Sequence, residues 1–151
     1  MNEDLNAWLL GMSNSDFDAL MCKKFSKLFV NRNKDMRETC MCWGFEIPAG
    51  WHVIVHNLCE QLQYLADLTK YQPVADQVKS KFGSLRFYWH GVAEKEGDYR
   101  LVDDIMEALV GAAEHQTGHT CEVCGAFGES NALGWVTTLC MEHRKLEGKR
   151  A

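Results

Sequence analysis

Proline is nearly absent from this chain, with two residues in 151, so long structureless linkers are not expected. No apolar run approaches the ~20 residues that cross a bilayer. The start, Met1-Asn2-Glu3-Asp4, is acidic and lacks the basic opening of a secretory signal. Basic excess is missing too. The formal charge is −5, which opposes non-specific attachment to nucleic acid, although an acidic protein can carry a local basic face. No Gly-rich phosphate loop and no G-x-S-x-G elbow occurs. What remains is ordinary globular composition, 46% apolar and 25% charged, in a chain long enough for one core and a small appended element.

Cysteine is plentiful, at seven. Three of the seven join one histidine in the most informative pattern of the chain, Cys121-x2-Cys124-x15-Cys140-x2-His143. Two matched ligand pairs, each spanning one tight turn, suit a tetrahedral Zn²⁺ held by sulfur and nitrogen. Cys124-Gly125 fits a knuckle that points backbone amides at the thiolates. Gly134 to Leu139 reads as a strand, and Cys140 opens a terminal helix that presents both second-pair ligands. Knuckle, hairpin and helix-borne ligands make a treble clef; a zinc ribbon is the alternative. With all four positions filled by protein, no place is left for the water that a catalytic zinc normally keeps. His119 is an alternative to His143. Cys22, Cys40, Cys42 and Cys59 remain as thiols suited to a reducing cytoplasm.

Periodicity predicts the rest. Leu5, Trp8, Leu9 and Met12 mark a short helix from Asn2 to Met12, and Ser13 or Ser15 caps a second, whose apolar stripe runs from about 15 to 30. Gly44, Pro48 and Gly50 break Glu38–Trp51 into a short strand and a turn. Val53, Ile54, Leu58, Leu62, Leu65 and Leu68 predict a helix over 51–69. Leu85, Phe87 and Trp89 alternate with Arg86, Tyr88 and His90, which predicts a strand and a hairpin closed at Phe82-Gly83. Leu101, Ile105, Leu109 and Ala112 line a helix that stops near Gly118. The expected class is α+β: a small antiparallel hairpin sheet packed by helices over 1–118, with a zinc element at 119–151 packed on it as one compact unit.

Other clusters carry weaker readings. Cys40, Cys42, His52, His56 and Cys59 invite a second metal or a Cys/His enzyme site, but core cysteines and satisfied histidines explain them as well. Trp43, Trp51, Trp89 and Trp135, one of them with Lys79, Lys81, Arg86 and Lys95 nearby, read either as core and rim residues or as a nucleic-acid stacking set.

Three stretches in this order resemble a family of small uncharacterised proteins of tailed bacteriophages and prophages. They are Glu38-Thr-Cys-Met-Cys-Trp-Gly-Phe-Glu46 with Gly50-Trp51, Gln77-Val-Lys-Ser-Lys-Phe-Gly-Ser-Leu-Arg-Phe-Tyr88, and Cys121-Glu-Val-Cys-Gly125 with Gly134-Trp-Val-Thr-Thr-Leu-Cys-Met-Glu-His143. The resemblance covers roughly residues 20–145 and implies the cytoplasm of an infected bacterium. The closed metal site and two motif-rich surfaces, around Cys40–Trp51 and Lys81–Tyr88, lead to the expectation of a non-enzymatic interaction module, and the phage context to a host or defence protein as its partner. The expected interaction surface is Trp43, Trp51, Lys81, Arg86 and Tyr88. Nucleic-acid binding and a Cys/His enzyme stand as alternatives.

Overall fold

The computed structural model describes residues 3–131 and 134–149. The expected helix start at Asn2 and the last two residues of the 119–151 element lie outside the described residues. The described residues form five α-helices, a three-stranded sheet and a separate two-stranded one. Helix α1 spans Glu3–Leu10 and α2 spans Asn14–Lys24. Ser13 caps α2, its hydroxyl accepting the Asp16 N–H at 3.1 Å. The helix ends at Lys24 rather than near 30. Phe25, Leu28 and Phe29 still reach the core, but from consecutive turns.

The Gly/Pro-interrupted stretch forms 3-10 turns at Cys40–Trp43 and Ala49–Trp51 around the short strand β1, Phe45–Glu46. Arg32 ties the first turn to α2. Its guanidinium donates to Asp18 Oδ1 and to Cys42 O, both at 2.8 Å. Helix α3, His52–Thr69, follows, then the long hairpin of β2, Tyr71–Lys81, and β3, Ser84–Ala93. The turn is the expected one: Phe82 and Gly83 both have positive φ, +52° and +75°, as a type I′ hairpin turn requires. The sheet order is β1-β2-β3. β1 pairs parallel to β2, so the sheet is mixed and not the purely antiparallel hairpin expected.

Val78 lies opposite Phe87, and Ala75 opposite Trp89, across a bulge between Ala75 and Gln77. These residues face α3 and α4 (Arg100–Thr117), which pack side by side on one face of the sheet. Lys79 and Arg86, and Gln77 and Tyr88, are paired on the opposite face. Strand β3 is an edge, and α4 covers part of it. Thr117 Oγ1 accepts the Leu85 N–H at 2.8 Å and Glu114 Oε1 accepts the Phe87 N–H at 2.9 Å.

Those two bonds set the rotation of α4 and correct the expected apolar row. Thr117 lies in line with Val102, Met106, Val110 and Ala113, and these are the buried residues. Leu101 and Ile105, one position away, are exposed. Both rows are apolar, so periodicity alone could not choose between them. Gly118 does end the helix, with ordinary right-handed geometry. On α3 the expected row holds at Ile54, Leu58 and Leu62, while Leu68 is exposed. Met106→Ala should therefore cost about 2–5 kcal/mol in urea unfolding, whereas Leu101→Ala should stay within about 0.5 kcal/mol. Equal costs would contradict this rotation.

Candidate metal centre

The third motif folds as one element whose parts converge on a point. A turn carries Cys121 and Cys124. Strands β4, Glu129–Ser130, and β5, Thr138–Leu139, pair antiparallel. Cys140 caps the N-terminus of α5, Met141–Gly148, and His143 lies in its first turn. The donor atoms of Cys121, Cys124, Cys140 and His143 all lie within 4.8 Å of one another. Among the described residues this is the only group of three or more Cys, His, Asp or Glu placed to share an ion.

The spacing fits a metal. A tetrahedral ion with ~2.3 Å bonds to sulfur separates two sulfurs by about 3.8 Å. Cys124 Sγ and Cys140 Sγ are 3.8 Å apart, and His143 Nδ1 lies 3.1 Å from Cys140 Sγ and 3.5 Å from Cys121 Sγ. A disulfide would need ~2.05 Å.

The backbone prepares these sulfurs for negative charge. The N–H groups of Cys140, Cys124 and Val123 point at Cys121 Sγ, and that of Ala126 at Cys124 Sγ. Burial alone would raise the Cys121 thiol. The three amides and the Cys124 thiol outweigh it and bring it down to about 6. Cys124 moves the other way: burial pushes it up, the Ala126 N–H opposes this, and the neighbouring sulfurs add to the rise. Several thiolates this close repel unless a cation lies among them. Gly125, at φ +76°, makes the knuckle turn.

The element is bonded into the core. Gly50 N–H donates to Glu122 O, and the Trp51 indole N–H to Thr120 O, both at 2.9 Å. The Thr138 hydroxyl donates to Gly83 O at 2.6 Å, which reaches the hairpin tip.

The other expected residues fall elsewhere. His119 is outside the tetrad, with its ring parallel to that of Phe127. Trp51 is fully buried, so its place on the interaction surface is withdrawn; its ring fills the core beneath the knuckle. Trp43, Lys81 and Tyr88 are exposed and Arg86 is half-buried. Sequence reasoning passed over Glu114 and Thr117, which blunt the sheet edge. It also read Phe82 as a turn residue and nothing more.

Cys40, Cys42, His52, His56 and Cys59 do not form a second donor set. His52 stacks on Phe17, with ring centroids 3.9 Å apart. Its Nδ1–H donates to Leu9 O at 2.9 Å and its Nε2 faces the Asn14 amide at 3.1 Å. His56 Nε2 accepts from Lys24 Nζ at 2.9 Å, and the same ammonium pairs with Glu60. Cys59 is fully buried, which pushes its thiol well up. Burial and the Asp18 carboxylate push Cys22 up to about 11. Both shifts disfavour the thiolate, the nucleophilic form, at neutral pH.

Two measurements check these assignments. Elemental analysis should find about one equivalent of metal per chain, lost in Cys121→Ser and kept in His119→Ala. The second concerns pH. Burial holds His52 below its ordinary value, and burial together with the Lys24 charge does the same for His56. The unfolded chain therefore takes up these protons first as pH falls. Their contribution to stability is full above about pH 6.5 and declines as pH drops toward the folded values. The urea midpoint should fall from pH 7 to 5, and less steeply in His56→Gln; parallel slopes would remove His56 from the account. Loss of metal affects both proteins alike and cancels in that comparison. Against known proteins, no family model, curated protein or solved structure matches the chain.

Proposed function

We propose that the protein is a non-enzymatic interaction module that binds a protein partner, and that one structural Zn²⁺ staples its C-terminal element. The observation that carries this reading is the closed donor set of Cys121, Cys124, Cys140 and His143. Three thiolates and an imidazole suit zinc. Four protein ligands fill its tetrahedron and leave no position for a substrate or an activated water. The order of knuckle, β4–β5 hairpin and α5 supports a treble clef; a ribbon would place Cys140 and His143 on a second knuckle.

The surface supports partner binding. Trp43, Tyr64, Leu68, Leu101, Phe82 and Trp135 are large apolar side chains held in solvent. No helix among the described residues is long and apolar enough to cross a membrane. The resemblance to tailed-phage proteins makes a bacterial host or defence protein the proposed partner, met in the cytoplasm of the infected cell. Nucleic-acid binding retains one favourable observation: Lys79 and Arg86 face each other on the open side of the sheet, next to Tyr88.

Immobilised wild-type protein should retain a defined protein from bacterial lysate, and Cys121→Ser should retain less of it. Recovery of none, or equal recovery by the metal-free variant, counts against the module.

A further inference from the structure

The turn that closes the hairpin contains an unfavourable residue. Type I′ turns take Asn, Asp or Gly at both central positions because positive φ strains a bulky side chain. Phe82 occupies the first of them at φ +52°, and the residue is 72% exposed. Strain and an apolar group in water coincide in one residue, and neither helps the fold. Backbone strain of this kind concentrates where a site needs the side chain held in place.

Phe82 has a counterpart. Trp135, 88% exposed, shares with it a cleft of about 260 Å3 at the seam between the hairpin tip and the metal element. Ser80, Lys81, Glu122, Gly134 and Val136 complete the walls. The volume lies below the ~300–1,000 Å3 typical of small-molecule sites and suits a single side chain.

Of the two charged residues that line the cleft, Lys81 and Glu122, the Glu122 carboxylate is engaged and accepts the Thr138 N–H at 3.0 Å. Residues 77–93 carry Lys79, Lys81 and Arg86 and no carboxylate, in a chain of net charge −5. None of the three is in an ion pair among the described residues. The Lys81 ammonium lies 5.3 Å from the Phe82 ring centroid, next to the cleft. A cluster of unpaired cations beside an apolar cleft complements an acidic ligand with an apolar anchor.

We propose that the hairpin tip and Trp135 dock a short acidic segment of a partner protein. One apolar side chain of that segment enters between Phe82 and Trp135, and its Asp and Glu residues meet Lys79, Lys81 and Arg86. This rests on the reading of the protein as an interaction module. A nucleic acid is a poorer occupant. Its phosphates would run beyond three cations toward Glu46, which is paired beside Lys79 on β1. Three neutralised phosphates on a single strand give a salt slope of only about −2. A short peptide ends within the patch.

Fluorescence anisotropy tests the assignment with a labelled Asp-Glu-Phe-Glu-Asp peptide. Its amide analogue Asn-Gln-Phe-Gln-Asn and a labelled thymidine strand serve as comparisons. The acidic peptide should bind at least tenfold more tightly than either. Trp135→Ala and the double change Lys81→Glu with Arg86→Glu should each weaken it at least tenfold. Phe82→Asn should also abolish binding while raising Tm by about 2–4 °C, because it relieves the turn, so loss of binding cannot be ascribed to unfolding. Equal binding of the amide peptide or of the thymidine strand overturns the proposal, as does failure of the acidic peptide to bind. If the peptide fails while lysate proteins are retained equally by wild type and Trp135→Ala, the docking site is wrong and the interaction module stands. If wild type retains nothing either, the module falls as well.

Discussion

Everything at the C-terminal end depends on one close approach between two backbones. A Cβ at Gly50 would lie 2.0 Å from Cys121 O and 2.6 Å from the Glu122 carbonyl carbon. Only glycine lets the 3-10 turn before α3 lie directly on the metal knuckle. With that contact made, the Gly50 N–H reaches Glu122 O and the Trp51 indole N–H reaches Thr120 O. A net ~1 kcal/mol per bond is modest, but the positions are decisive. They join residues 69–72 apart in sequence and fix the metal ligands relative to the core.

The same seam ties the donor tetrad to more than its own element. The Thr138 hydroxyl, two residues before Cys140, bonds to Gly83 O at the hairpin tip. A Cβ at Gly83 would meet that hydroxyl at 2.8 Å. The cleft at the tip therefore has one wall on the sheet and one on the element that carries the tetrad.

What could be read from sequence follows from which signals are local. The tetrad was legible because ligand spacing is local within each pair, and four donors leave little freedom. The hairpin was legible because Leu85, Phe87 and Trp89 alternate up to a two-residue turn. The rotation of α4 was not, because Leu101–Ile105 and Val102–Met106 are equally apolar and only the tertiary bonds from Thr117 and Glu114 choose between them. Trp51 read as a surface aromatic because its hydrogen-bond partner lies in another element. The parallel pairing of β1 was hidden for the same reason: a two-residue strand has no period. Phe82 carried a signal that could have been used, a bulky aromatic where a type I′ turn takes Asn or Gly.

An edge strand ordinarily offers its amides to any passing strand. Along the first half of β3 those amides are taken: Thr117 holds the Leu85 N–H and Glu114 the Phe87 N–H. Helix α4 thus serves the sheet as a substitute neighbour, made of side chains instead of backbone. Two consequences follow. Copies of this chain cannot join edge to edge there, and no partner can be recruited there by adding a strand. What the sheet's open face and tip present to their surroundings is shape and charge, not a backbone ladder that any extended peptide could complete.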